Sequence, residues 1–228
     1  MYEIGVDETV PGHPCTDVSL YTSDLDLLAY MLQDLRSLIR SNDAGKVDLV
    51  AHQPIMWTVH GLRRRTVVCE PALIRQPDRV CTVGFFADRR DTINYGSLDE
   101  LELGLLLEFR NYPGILSYSS IELANDFWAN LVVHREPDDT ESWRQSSAHS
   151  RAVEVSPELY SAIRIHNGHL VGGVAGSQAV AIDRTKYWDY DTDPVWQGLR
   201  TFDPPLERIR RQAVDVWDGR LPGTRSGT

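Results

Sequence analysis

The 228-residue chain is poor in thiols, in long apolar runs and in nucleotide-binding signatures. Its three cysteines, Cys15, Cys69 and Cys81, are odd in number and lack CxxC spacing, which argues against a disulfide framework. They are expected to be reduced thiols, which fits a cytoplasmic protein. Apolar residues never run to the ~18 that a membrane helix needs, so no membrane association is expected. The opening residues MYEIGVDETV contain neither a basic leader nor an apolar core of the signal-peptide kind. GxGxxG and P-loop patterns are missing, so nucleotide cofactors have no support. No GxSxG nucleophile elbow is present. Positive charge is also scarce: 23 Lys and Arg stand against 33 Asp and Glu, for a net charge of −10. Such a surface repels phosphate backbones, and nucleic acid is not expected as a partner.

What remains is an ordinary globular composition, 42% hydrophobic and 25% charged, able to bury a core. Residues 1–16 read as surface chain and Asp17–Tyr21 as a short strand. Ser23 or Asp24 is placed to cap a helix running to about Arg40, with Leu25, Leu28, Leu32, Leu35 and Ile39 at helical spacing. Val47–Ala51, Ile55–His60 and Thr66–Cys69 are further strand candidates.

The central block has clearer grammar. Arg79–Ala87 predicts a strand, and Ser97 with Glu100 a capping box before a helix from Leu98 to about Arg110. Ile115–Glu122 and Phe127–His134 are strands joined by a turn at Ala124–Asp126. A helix is expected over Thr140 to about Val153, ended by Ser156–Pro157, and a strand over Ser161–Ile165. The order is βαββαβ, an α+β ferredoxin-like core. The expected organisation is an N-terminal strand–helix–strand extension or degenerate half-repeat over 1–77, the core over 78–172 and a C-terminal extension over 173–228. The extension is expected to carry a last helix at Pro205–Trp217 and a disordered tail from Leu221.

Phe127–Ala152 is the most informative stretch, with two tryptophans, an asparagine and two histidines in 26 residues. Period-two alternation puts Trp128, Asn130, Val132 and His134 on one strand face, opposite an apolar face. Buried polar tips without partners cost about 1–3 kcal/mol each, so their concentration here points to a cavity lining. The plain alternative is a face turned to solvent or to a partner subunit. On the helix that follows, Trp143 and His149 lie roughly 120° apart and could flank a wide pocket. Tyr118 on one neighbouring strand, and Arg164 and His166 on another, would join them if their polar faces form one surface. His166 and His169 bracket Asn167–Gly168, a turn signal. With no third ligand spaced to help them, no metal is expected. Lys186–Trp196, rich in aromatics and aspartates, reads as a strap over a partner or a clamp on an aromatic ligand.

The strand FWANLVVH, the helix pattern Trp143, Arg144, Ser146, His149 and the strand SAIRIHNG resemble the dimeric α+β barrel superfamily. The likeness is greatest to antibiotic-biosynthesis-monooxygenase-like proteins and covers about residues 79–170. The resemblance implies a homodimer with a small-molecule pocket in each subunit. It also implies cofactor-independent monooxygenase or cyclase chemistry on aromatic or polyketide-like substrates of secondary metabolism. Haem-degrading relatives place their iron-ligating histidine about ten residues after the helix tryptophan. Here that position is Val153, so haem is a minority expectation and no cofactor is predicted. In this reading His134 or His149 removes a proton, Asn130 and Arg164 hold the anion, and Trp128, Trp143, Tyr118 and His166 line the substrate site. A non-catalytic ligand-binding or interaction protein on the same fold is the alternative.

Overall fold

A computed structural model describes residues 1–90, 95–123 and 127–207. Among these residues, nine strands form one sheet in the order β1-β9-β8-β7-β4-β6-β5-β3-β2. The strands are β1 Tyr2–Ile4, β2 Pro54–Val59, β3 Leu62–Val68, β4 Arg79–Arg89, β5 Ile115–Glu122, β6 Phe127–His134, β7 Tyr160–Val171, β8 Ala181–Asp189 and β9 Trp196–Glu207. Every neighbouring pair is antiparallel except β1 with β9. Four helices accompany them: α1 Leu20–Asp43, α2 Tyr95–Glu108, α3 Pro137–Arg144 and α4 Ser147–Leu159.

This architecture corrects the expectation of a small ferredoxin-like core in a dimeric α+β barrel. Strands β4 to β7 do lie side by side, but β5 pairs onward with β3, and β7 onward with β8. The fold is therefore α+β with one large mixed sheet. The face that a barrel would offer to a second subunit is covered by α1. Its Leu25, Leu28, Leu32, Leu35 and Ile39 are buried, together with Ala129, Leu131 and Val133 of β6. The approach is close: a Cβ at Gly84 of β4 would stand 2.8 Å from a methyl carbon of Leu28.

Several local expectations also fail, each for a visible reason. Residues 1–16 do not wander: β1 pairs with β9, and Ile4, Cys15 and Thr16 are buried. Asp17–Tyr21 is not a strand. The Asp17 carboxylate accepts the Ser19 N–H at 2.8 Å and α1 starts at Leu20. Ser23 and Asp24 therefore lie inside the helix, buried, rather than at its cap. Val47–Ala51 is not a strand, whereas β2 and β3 form a hairpin through His60–Gly61, both at positive φ, as a tight two-residue turn requires. The helix α2 starts before Ser97 rather than after it. Pro205–Glu207 belongs to β9 instead of a last helix, and the rest of that expected helix, the tail and the turn at 124–126 lie outside the described residues.

Asn167–Gly168 does not turn. It continues β7 through an irregularity opposite β8, where a Cβ at Gly168 would stand 2.0 Å from the Ala181 carbonyl oxygen. The expected single helix over 140–153 is two. α3 ends at Arg144, and the Ser146 hydroxyl caps α4 by accepting the His149 N–H at 3.0 Å. α4 carries Pro157 in its last turn and runs on to Leu159. No helix among the described residues is long and apolar enough to cross a membrane.

Candidate functional site

The face of the sheet opposite α1 is roofed by α2, α3 and α4, and the roof does not settle fully. One apolar cluster packs Phe109, Tyr118, Val132 and Trp143. A second packs Ala87, Leu159, Tyr160 and Ile163. Beside and between them lies a cavity of about 370 Å³, within the range of small-molecule sites. Glu108 at the end of α2 ties the roof together, accepting hydrogen bonds from the Ser147 hydroxyl and the Ala148 N–H at the start of α4. The lining is rich in aromatic rings, among them Phe85, Trp128, Trp143, Tyr160, Trp188 and Tyr190, beside aliphatic and charged side chains.

Strand alternation brings Trp128, Asn130, Val132 and His134 into this cavity together. His134 and Trp128 sit six residues apart on β6, so the site is about 20 Å long at ~3.3 Å per residue. Tyr118 lines it from β5, and Trp143 and His149 from the roof. The break at Gln145–Ser146 reorients α4, so Trp143 and His149 meet edge to face, ring centroids 5.9 Å apart.

His134 is 1% exposed, and its Nδ1 has no hydrogen-bond partner among the described residues. Burial, helped by the charge of Arg144 and by His149, pushes its imidazole down to about 4, so it is neutral at physiological pH. His149 is lowered too, first by burial and then by Arg144. Burial pushes the Tyr160 hydroxyl up to about 12 and raises that of Tyr118 well above its ordinary value. Tyr118 donates to Glu102 at 3.0 Å, and Glu102 also pairs with Arg65 at 2.6 Å.

Arg164 and His166 are not at the site. They occupy the α1 face, where the Arg164 guanidinium donates to both carboxylate oxygens of Asp24 at 2.9 and 3.0 Å. His166 bridges Asp24 and Thr185 at 2.9 and 2.8 Å. Burial alone would raise the Asp24 carboxyl, but these two partners hold it below the usual carboxylate range. The β7 residues that reach the cavity are the apolar Ile163 and Ile165. His169, three residues after His166, faces the other side of the sheet and pairs with Asp183 at 2.9 Å. The described residues contain no group of three side chains placed to hold a metal.

The sequence reading did not assign Arg89, Glu102, Arg144 or Tyr160 to the site, although all four line it. The only available hint was for Lys186, Trp188 and Tyr190, in the segment read as a strap or clamp. Arg144 donates to Glu141 at 3.1 Å and to Asn167 of β7 at 3.0 Å, which fixes the roof to the sheet.

No family model matches the chain, and no curated protein does. Among solved structures, a protein from Shewanella oneidensis is similar at 14% identity and a TM-score of 0.37, over 43% of this chain and 96% of that one. A protein of unknown function from Nitrosomonas europaea is similar at 7% identity and a TM-score of 0.37, over 41% of this chain and 90% of that one.

Proposed function

We propose that the chain is a small-molecule enzyme that removes a proton from an aromatic or polyketide-like substrate and stabilises the resulting anion. The observation that carries this reading is His134, a buried, neutral imidazole with an unspent ring nitrogen, facing a cavity rich in aromatic rings. An unpaired polar group of that kind costs about 1–3 kcal/mol in the free protein. A substrate hydrogen-bonded to it would recover that cost.

A histidine held this far down is a weak base towards bulk water. It can accept a proton when an anion forms beside it and offsets the imidazolium charge. Arg144 then has a double effect. Its charge disfavours a protonated histidine in the empty cavity, and the same charge favours an enolate or phenolate formed there. Asn130, on the same strand face, is the neutral donor for that oxygen, in place of Arg164. An electron-rich anion of this class reacts with dioxygen directly or closes a ring, so monooxygenase and cyclase chemistry share this first step. A haem reading has less support, because Val153 supplies no iron ligand at the position corresponding to that of haem-degrading relatives.

The test is solvent-deuterium exchange and oxygen uptake with two- and three-ring phenols and β-dicarbonyl compounds. Wild-type protein is expected to accelerate one or both, and His134→Ala to lower the rate about 10²–10⁴-fold. Binding without exchange or turnover in any compound would overturn the enzyme reading in favour of a ligand-binding protein.

A further inference from the structure

The cavity's charge is opposite to that of the molecule. The chain carries −10 overall, yet among the described residues four cations, Arg63, Arg89, Arg144 and Lys186, line the cavity against one carboxylate, Glu102. That carboxylate is already spent on Arg65 and Tyr118. Of the cations, Arg63 pairs with Glu122 at 3.1 Å, and Arg144 with Glu141 and Asn167. Arg89 differs. It ends β4, is 9% exposed, and neither its Nε nor its Nη1 has a hydrogen-bond partner among the described residues. Its neighbour Asp88 offers no relief, since alternation sends that carboxylate to the α1 face, 3.9 Å from Arg164. Instead the Arg89 guanidinium lies over the Trp128 ring, 4.8 Å from its centroid.

We propose that Arg89 is an anion-binding residue and that the ligand of this cavity is an aromatic carboxylic acid. Its carboxylate would lie on the Arg89 guanidinium, and its ring system would extend past Trp128 and Asn130 towards His134. This rests on the aromatic-substrate reading above and adds the ligand's charge and its direction in the site. A buried guanidinium with two unused nitrogen donors is an unmet demand for an acceptor. A carboxylate meets it with charge-assisted hydrogen bonds, and the stack on Trp128 holds the guanidinium plane ready. The Tyr160 hydroxyl, close enough to feel the Arg89 charge, stays protonated because burial outweighs that charge, so it is a donor beside the same anion. The opposite end, near His134, is left for the reacting part of the molecule.

The test uses the full chain, with benzoate, naphthoate and anthracene carboxylate and the methyl ester of each, titrated by isothermal calorimetry and tryptophan quenching. At least one acid is expected to bind about 10–100-fold more tightly than its own ester, the range for a charge-assisted contact. Arg89→Met is expected to reduce that preference to about twofold or less, and Arg89→Lys to keep part of it. Equal binding of acid and ester by the wild type, or a preference that survives in Arg89→Met, overturns the assignment of Arg89 alone. Failure of every acid and every ester to bind overturns the aromatic-ligand reading along with it. Should Arg89→Met fail to fold, judged by near-ultraviolet circular dichroism, the wild-type acid-to-ester ratio and its change in Arg89→Lys still decide the matter.

Discussion

The two faces of the sheet bury similar kinds of side chain and use them differently. Under α1, the most deeply buried charges meet partners at close range. Asp24 takes both Arg164 and His166, and Arg200 donates to Tyr21, Tyr187 and the carbonyls of Gly5, Glu8 and Thr16. On the other face, His134 is as deeply buried and Arg89 nearly so, but each keeps at least one nitrogen without a hydrogen-bond partner among the described residues. A buried polar group that is satisfied contributes to one defined structure, whereas one left unsatisfied beside a hollow costs stability until something enters. On the proposed reading, the difference separates a region that holds the fold from one left open to a ligand.

The largest expected effect breaks the satisfied side. Asp24→Ala leaves Arg164 buried without its carboxylate, and removing one partner from such a pair costs about 3–5 kcal/mol. Urea unfolding should show this as a midpoint shift with little change in slope. A loss under 1 kcal/mol would mean that the Asp24 network is not what anchors α1 to the sheet. The matching change on the hollow side is His134→Phe. It removes an orphaned polar group without shrinking the side chain, so it should stabilise the fold by about 1 kcal/mol. The same variant should lose turnover to the extent of His134→Ala. If it is as destabilised as Asp24→Ala, the two faces do not differ as described.

Acid should sharpen the comparison next. The folded-state imidazole of His134 lies at about 4, below the ordinary value near 6.5 in the unfolded chain. Between those values the unfolded state binds the extra proton, so stability is full above ~6.5 and falls as pH drops towards ~4. The loss from this one group is on the order of 3 kcal/mol. Unfolding curves at neutral pH and near pH 4.5 should therefore diverge in the wild type and move closer together in His134→Phe. An equal acid loss in both proteins would assign the effect to other groups.

How far the sequence revealed this depends on which physical signal each residue carries. Alternation along Phe127–His134 is local, and it correctly grouped Trp128, Asn130 and His134. The same rule placed Arg164 and His166 opposite Ile163 and Ile165, which also holds. What it could not show is which of those faces meets the cavity, because that depends on Asp24, 140 residues away in α1. Taking polar as pocket-facing failed there: the apolar residues of β7 line the hollow. The break between α3 and α4 rests on one hydroxyl, Ser146, in a stretch where helical periodicity continues unbroken. Arg89 lies just past the strand expected over Arg79–Ala87, where no pattern marks it. Its importance comes from the partners it lacks, and absent partners leave no mark in sequence. β8 and β9 were hidden for a related reason: their place is set by pairing in series, β8 on β7 and β9 on β8.

The smallest effect concerns Tyr118, expected from sequence as an aromatic wall. The structure gives it that place, but with its hydroxyl engaged. It donates to Glu102, which Arg65 already holds, and burial keeps the phenol protonated. Tyr118→Phe preserves the ring and leaves Glu102 with Arg65, so stability should fall by about 0.5–1.5 kcal/mol, the worth of one hydrogen bond. Turnover should change by no more than about threefold, because a hydroxyl committed to Glu102 is not free to give its proton to a substrate. A tenfold or larger fall in turnover at unchanged affinity would make Tyr118 the acid of the reaction. The reactive end of the cavity would then lie between β5 and α2 as well as at His134.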